Sequence, residues 1–87
     1  MTTFTATFNN GSTIRCDSSR AYTHAYRVTG TNAYGFPMEC SAFSTSEERA
    51  ARSARSSFGQ LTRTADPKRG VLTGRVSHVE IVRTKEI

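Results

Sequence analysis

Several kinds of residue and segment are scarce in this sequence. It has no tryptophan, two cysteines and no apolar run of about 18 residues, the length that a membrane-spanning helix needs. The segment from Met1 to Phe8 has neither a basic region nor an apolar core, so it predicts no secretory signal and a cytoplasmic protein. The 87 residues leave room for one domain, residues 1–87, with a small core.

The low cysteine content limits disulfide and metal chemistry. In a reducing cytoplasm Cys16 and Cys40 are expected to be free thiols, although the sequence leaves their pairing open. Together with His24 and His78 they could supply four zinc ligands, but none of these residues forms the close pairs typical of structural zinc sites. The sequence therefore predicts no metal and no cofactor.

Motifs of common enzyme chemistry are also missing. There is no G-x-S-x-G nucleophile elbow and no G-x-x-x-x-G-K-[ST] phosphate-binding loop. The loop from Gly30 to Gly35 has glycines at both ends, but no lysine follows it and it leads into a predicted strand. Glu47 and Glu48 are explained by the start of a helix. These absences predict a protein that is not an enzyme.

Arginine is what the sequence has in excess. The formal net charge is +5, and ten of the twelve basic residues are arginine. A guanidinium offers a planar fork of donors that matches phosphate and carboxylate groups. The composition favours an anionic partner, either nucleic acid or an acidic protein surface. The alternative is a basic surface that only keeps the protein in solution.

Alternating apolar residues predict four strands before the helix. Phe4, Ala6 and Phe8 share one face of the first strand, and the turn Asn9-Asn10-Gly11-Ser12 predicts a tight hairpin. Three further strands are predicted, with a turn at residues 17–20 and a loop at residues 30–35 between them: Thr13–Cys16, Ala21–Thr29 and Pro37–Phe43.

The segment Ser44-Thr45-Ser46-Glu47 has the form of a capping box and predicts a helix over Thr45–Phe58. Arg55 would lie in its last turn and Gly59 just beyond its end. The helix would have a narrow apolar stripe: Ala50, Ala51, Ala54, Phe58 and Leu61. A polar connector follows over Gln60–Gly70. A last strand begins near Leu72 or Val76 and ends near Thr84, and its change of phase predicts either a bulge near Ser77-His78 or two short pieces.

The element order is therefore predicted to be β-β-β-β-α-β. This order indicates an α+β fold in which one helix packs on one face of an antiparallel sheet of four or five strands. The order of the strands within the sheet stays open, as does the oligomeric state. The threonine-rich face of the first strand is expected to meet solvent or a partner.

Seven residues are predicted to bind a partner: Arg49, Arg52 and Arg55 on the helix, Arg63, Lys68 and Arg69 on the connector, and Tyr34 in the glycine-flanked loop. For the basic residues the alternative is a solvated surface, and for Tyr34 a loop folded onto the core. A third basic group, Arg15, Arg20 and Arg27, is interleaved with Tyr22 and Tyr26, which are expected to be core residues or to lie on the second face of the sheet.

This small α+β chain resembles proteins encoded by phages and mobile elements, among them the anti-CRISPR proteins. The resemblance is architectural: a short antiparallel sheet is followed by one helix that the segment Phe43-Ser44-Thr45-Ser46-Glu47 opens. It covers most of the chain but rests on no diagnostic motif, so it transfers no binding residue. It implies inhibition of a host nucleoprotein complex, such as a CRISPR effector, through its nucleic-acid-binding or recruitment surface.

Two other functions remain open at this point. The same basic residues could contact phosphates in a small DNA- or RNA-binding regulator. The chain could also be a structural or assembly protein that oligomerises through its strand edges.

Overall fold

The computed structural model describes residues 1–87 and contains one α-helix and eight β-strands in three small antiparallel sheets. The elements in chain order are β1 (Thr2–Thr7), β2 (Thr13–Ser18), β3 (His24–Thr31), β4 (Pro37–Ser44), α1 (Glu47–Leu61), β5 (Thr64–Asp66), β6 (Gly70–Leu72), β7 (Arg75–Arg83) and β8 (Lys85–Glu86). The predicted α+β class is confirmed. The predicted single sheet of four or five strands is wrong.

The N-terminal sheet has the strand order β2-β1-β8. Its hairpin turns where the Asn-Gly sequence predicts, and Gly11 there has φ +86. β2 continues to Ser18, past the predicted end at Cys16, because Asp17 pairs with Thr3 and accepts a 2.6 Å hydrogen bond from its hydroxyl. β8 has only two residues, too few for an alternating pattern to reveal it.

The central sheet has the strand order β4-β3-β7. β3 begins at His24 rather than Ala21 and pairs with β4 along its whole length. On its other side Thr29 faces His78 while Gly30 faces Val76, so the residue between them is extra in β7. This shift confirms the bulge that the sequence predicts near Ser77-His78.

The helix packs on one face of the central sheet, as predicted. The apolar side chains of Ala50, Ala54 and Phe58 are buried against Tyr26 and Val28 of β3. The short alanine side chains let the helix approach the sheet closely. Two members of the predicted apolar stripe are exposed instead, because they lie beside the contact face or beyond its end: Ala51 and Leu61.

The N-terminal sheet covers part of the opposite face of the central sheet. Ala6 of β1 and Phe8, the first residue after β1, pack against Ala25 of β3, which is fully buried. β3 is therefore covered on both faces, by α1 on one and by β1 on the other. The molecule is elongated at 49 × 24 × 19 Å, and its radius of gyration of 14.4 Å exceeds the roughly 12 Å expected for a compact chain of this length.

Both ends of the helix differ from the prediction. Ser46 is the N-cap residue, and its hydroxyl accepts a 3.1 Å hydrogen bond from the Arg49 backbone N–H. The third residue of the helix is thus an arginine rather than the glutamate that a capping box requires. The helix runs through Gly59 to Leu61, so Gly59 does not end it and no basic residue lies in its last turn.

The predicted connector contains regular structure. The last helical turn occupies its first residues, and β5 and β6 pair as a short hairpin across residues 67–69. The Asp66 carboxylate accepts hydrogen bonds from the backbone N–H groups of Lys68 and Arg69 and thereby closes the turn. Strands of three residues are too short to show a period in the sequence.

Candidate interaction surface

The seven residues predicted to bind a partner are all exposed, but they do not form one cluster. Tyr34 lies in the β3–β4 turn, and Arg63, Lys68 and Arg69 lie on or beside the β5–β6 hairpin. Arg49, Arg52 and Arg55 lie along α1. The tyrosine and the three basic residues near the β5–β6 hairpin lie at one end of the molecule. The three helix arginines lie elsewhere.

The topology explains why four elements meet at that end. Thr31 of β3 pairs with both Pro37 of β4 and Arg75 of β7, so the β3–β4 turn and the start of β7 lie side by side. The Gly74 N–H donates to the hydroxyl of Thr62 at 3.1 Å, which fixes the end of α1 beside them. We call this region, with the β5–β6 hairpin, the hairpin end.

Exposed apolar side chains gather at the hairpin end. Apart from the terminal residues Met1 and Ile87, every exposed large hydrophobic side chain of the protein lies there. They are Tyr34 (54% exposed), Phe36 (64%), Leu61 (47%), Val71 (55%) and Val76 (44%). Several large exposed apolar side chains at one end of a small protein make that end a candidate interaction site.

The same end is positively charged. Arg63, Lys68, Arg69 and Arg75 are all exposed there. The acidic residue among them, Asp66, is half-buried and already accepts two backbone hydrogen bonds. Its carboxylate lies 4.0 Å from the Arg69 guanidinium, so it offsets little of the positive charge. Aromatic residues and arginine together are the composition enriched in protein–protein interfaces.

The β3–β4 turn holds its aromatic residues in a fixed geometry. The Asn32 side-chain oxygen accepts hydrogen bonds from the backbone N–H groups of Tyr34 at 2.9 Å and Phe36 at 3.0 Å. Gly35 adopts φ +86 and donates to the Asn32 carbonyl. Four local hydrogen bonds order the backbone of the turn, so this backbone loses little conformational entropy when the two exposed rings bind a partner.

A shallow groove of about 310 Å³ runs between the last turns of α1 and the β5–β6 hairpin. It is lined by Ser56, Gly59, Gln60, Arg63, Val71 and Thr73. The missing side chain of Gly59 helps to keep it open. The sequence does not single out Phe36, Leu61, Val71 or Val76 as binding residues, because only the folded chain brings them to the same end.

The helix arginines form a separate and less organised group. Arg52 is 3.4 Å from Glu48, and both side chains are largely exposed, so this ion pair contributes little to stability. Steps of three residues also spread Arg49, Arg52 and Arg55 around the helix rather than along one line. This geometry fits the alternative in which Arg52 and Arg55 form a solvated surface and bind no partner.

The interleaved arginines and tyrosines do not form a stacking surface. Tyr26 is buried and its hydroxyl lies 3.1 Å from that of Ser57, while Tyr22 packs edge-on against Phe4. Arg27 forms a 2.7 Å salt bridge with Glu39. Tyr26 is a core residue, as expected, whereas Tyr22 is half-buried and belongs to neither cluster of buried residues.

The two cysteines are free thiols in different sheets, Cys16 in β2 and Cys40 in β4. Partial burial raises the pKa of each thiol, and a neighbouring carboxylate, Asp17 or Glu39, raises it further. Both thiols therefore stay protonated at neutral pH, where a neutral thiol is a poor nucleophile. No three or more His, Cys, Asp or Glu side chains are grouped to hold a metal ion.

Helix α1 is too short and too polar to cross a membrane.

Comparison with known proteins gives no further guide to function. Neither a protein-family model, nor a curated protein, nor a solved structure gives a significant match to this chain. Functional inference therefore depends on the hairpin end itself.

Proposed function

We propose that this protein is a non-enzymatic binding protein that docks through its hairpin end on an acidic surface of a host nucleoprotein complex, such as a CRISPR effector, and inhibits it. The observation that carries the proposal is the gathering of five exposed apolar side chains and four basic ones at a single end. In this proposal the gene belongs to a phage or mobile element, and the protein acts in the bacterial cytoplasm.

Charge favours a recruitment surface over a nucleic-acid channel as the target. A channel that holds nucleic acid is itself positively charged, so it repels a protein of net charge +5. An acidic docking surface attracts the same protein and accelerates its association. The inhibitor would therefore block recruitment of a further component rather than fill the channel.

The apolar residues favour a protein partner over nucleic acid alone. Phosphate contacts need cationic and polar groups, and Leu61, Val71 and Val76 can supply neither. Tyr34 and Phe36 could still stack on unpaired bases, which keeps the nucleic-acid-binding regulator as the alternative. Its signature is a binding constant that falls steeply with salt, by about one log-log unit for each phosphate contacted.

A second candidate function, assembly through strand edges, is favoured by one observation. β4 is an eight-residue edge strand of the central sheet, and its outer backbone groups have no strand partner. Long unprotected edges pair readily with another chain. Sedimentation analysis tests this directly, because an assembly protein gives oligomers that grow with concentration and a purely monomeric profile contradicts it.

The proposal is tested by binding to purified CRISPR effector complexes, with and without bound nucleic acid. We expect the wild-type protein to bind and the Tyr34→Ala/Phe36→Ala double variant to bind at least about tenfold more weakly, since buried aromatic anchors dominate interface energies. The matched control is Arg55→Gln, an exposed helix residue away from the hairpin end, which should bind as the wild type does.

A parallel titration of the protein with single-stranded DNA and RNA separates the alternatives. Strong, salt-sensitive binding to nucleic acid without effector binding would favour the regulator. Absence of binding to every effector complex, with or without nucleic acid, would remove the support for the inhibitor.

A further inference from the structure

A second cavity lies at the end of α1 opposite to the hairpin end. It is an open depression of about 160 Å³ that is bordered by the β2–β3 connection, the end of β4 and the first two turns of α1. Its lining combines guanidinium and hydroxyl groups with two aromatic rings: Arg20, Tyr22, Phe43, Ser44, Thr45, Arg49 and Ser53. No carboxylate lines it.

Two arginines from separate segments meet at this cavity. Arg20 comes from the β2–β3 connection and Arg49 from α1. Neither takes part in a salt bridge, since the three salt bridges of the protein use Arg27, Arg52 and Arg69. Two unpaired positive charges at one cavity repel each other, so an anion between them would relieve this repulsion.

The acidic residues nearest in the sequence do not neutralise the pair. Glu47 and Glu48 precede Arg49 in the first helical turn, but neither lines the cavity. Glu48 accepts its hydrogen bond from Arg52. The cavity thus keeps both guanidinium groups available.

Ser44 adds a hydroxyl to the lining of the cavity. The residue is 7% exposed, and its hydroxyl forms no hydrogen bond within the chain. No completely buried side-chain polar atom lacks a partner, so this hydroxyl is accessible to solvent. It is therefore free to donate to a ligand that enters the cavity.

We propose that this cavity binds a phosphate group. Each guanidinium can donate two parallel hydrogen bonds to phosphate oxygens, and the hydroxyls of Ser44 and Ser53 can donate to the remaining ones. The positive end of the α1 dipole adds to the attraction. A volume of about 160 Å³ has room for one phosphate group, so inorganic phosphate and a small phosphate monoester are the two ligands to compare.

The test is a titration with inorganic phosphate followed by NMR, with ionic strength held constant by sodium chloride. We expect saturable shifts of the Arg49 and Ser53 amide signals. Arg20→Gln and Arg49→Gln should each weaken binding about tenfold or more, because each removes a charge-assisted hydrogen bond. Both residues are exposed, so neither change threatens the fold.

The matched control is Arg55→Gln, which removes the same charge from the same helix outside the cavity and should change the affinity less than about twofold. A second titration with phosphoserine distinguishes the two sources of the phosphate, since the preferred ligand binds more tightly. Shifts that grow linearly without saturation, or equal weakening by Arg55→Gln and Arg49→Gln, would overturn the proposal. Neither result would bear on the hairpin end.

Discussion

At the scale of single residues, two glycines decide how closely the strands and the helix approach. A Cβ atom at Gly30 would collide with the carbonyl oxygen of Arg75 and lie 2.7 Å from the ring of Phe58. One at Gly74 would collide with the carbonyl oxygen of Thr31. The sequence indicates only that Gly30 borders a loop. These two positions must lack a side chain because the atoms that a Cβ would meet belong to residues distant along the chain.

We predict that Gly30→Ala lowers the free energy of unfolding by about 1–3 kcal/mol, because the added methyl group overpacks the contact between β3, β7 and α1. Urea denaturation measures this change. The control is Gly59→Ala, where a Cβ meets nothing within 4 Å and the helix should gain about 0.5–1 kcal/mol. Equal stability of Gly30→Ala and wild type would show that this contact is looser than described.

At the scale of elements, the start of α1 shows what local sequence can and cannot predict. The run Ser44-Thr45-Ser46-Glu47 indicates a helix start correctly, but it allows more than one cap. Ser44 is held in β4 by its pairing with His24, so Ser46 becomes the cap. Strand pairing therefore decided between two registers that the local sequence could not separate.

Ser46→Ala should lower the free energy of unfolding by about 1 kcal/mol, because the Arg49 backbone N–H then loses its acceptor. Thr45→Ala removes a neighbouring exposed hydroxyl and should change stability by less than about 0.5 kcal/mol. Thermal or urea unfolding of both variants provides the comparison. If Thr45→Ala proved the more destabilising of the two, the assigned cap would be wrong.

At the scale of the whole molecule, the core is divided between two clusters that β3 separates. Tyr26 and Val28 belong to the cluster under α1, whereas Ala25 belongs to the cluster under the N-terminal sheet. The sequence predicts the strands and the helix but not this division, since alternation reports which residues share a face and not what covers it. The assembled hairpin end was unpredictable for the same reason.

Glu80 links the two parts of the molecule. It is 7% exposed, and its carboxylate accepts a 2.6 Å hydrogen bond from the Asn9 backbone N–H at the tip of the β1–β2 hairpin. We predict that Glu80→Ala destabilises the protein by about 1.5–3 kcal/mol, the range for hydrogen bonds to charged groups. Amide hydrogen exchange should accelerate more in β1 and β2 than in β3.

The control for Glu80 is Glu39→Ala, which removes a carboxylate whose side chain is 50% exposed in its salt bridge with Arg27. This ion pair is partly buried, since the Arg27 side chain is 16% exposed, but the Glu39 carboxylate bonds only to Arg27 and not to the N-terminal sheet. Exchange in β1 and β2 should therefore stay unchanged. Uniform acceleration across all strands in Glu80→Ala would contradict a specific link between the sheets.

Site-specific photo-crosslinking in host cells tests whether the hairpin end is the binding surface. A photoreactive amino acid would replace Tyr34 or Val71 at the hairpin end, or Arg15 on the exposed face of the N-terminal sheet. We expect positions 34 and 71 to crosslink to the same host protein and position 15 to crosslink to none. Crosslinking of that protein from position 15 alone would contradict the account.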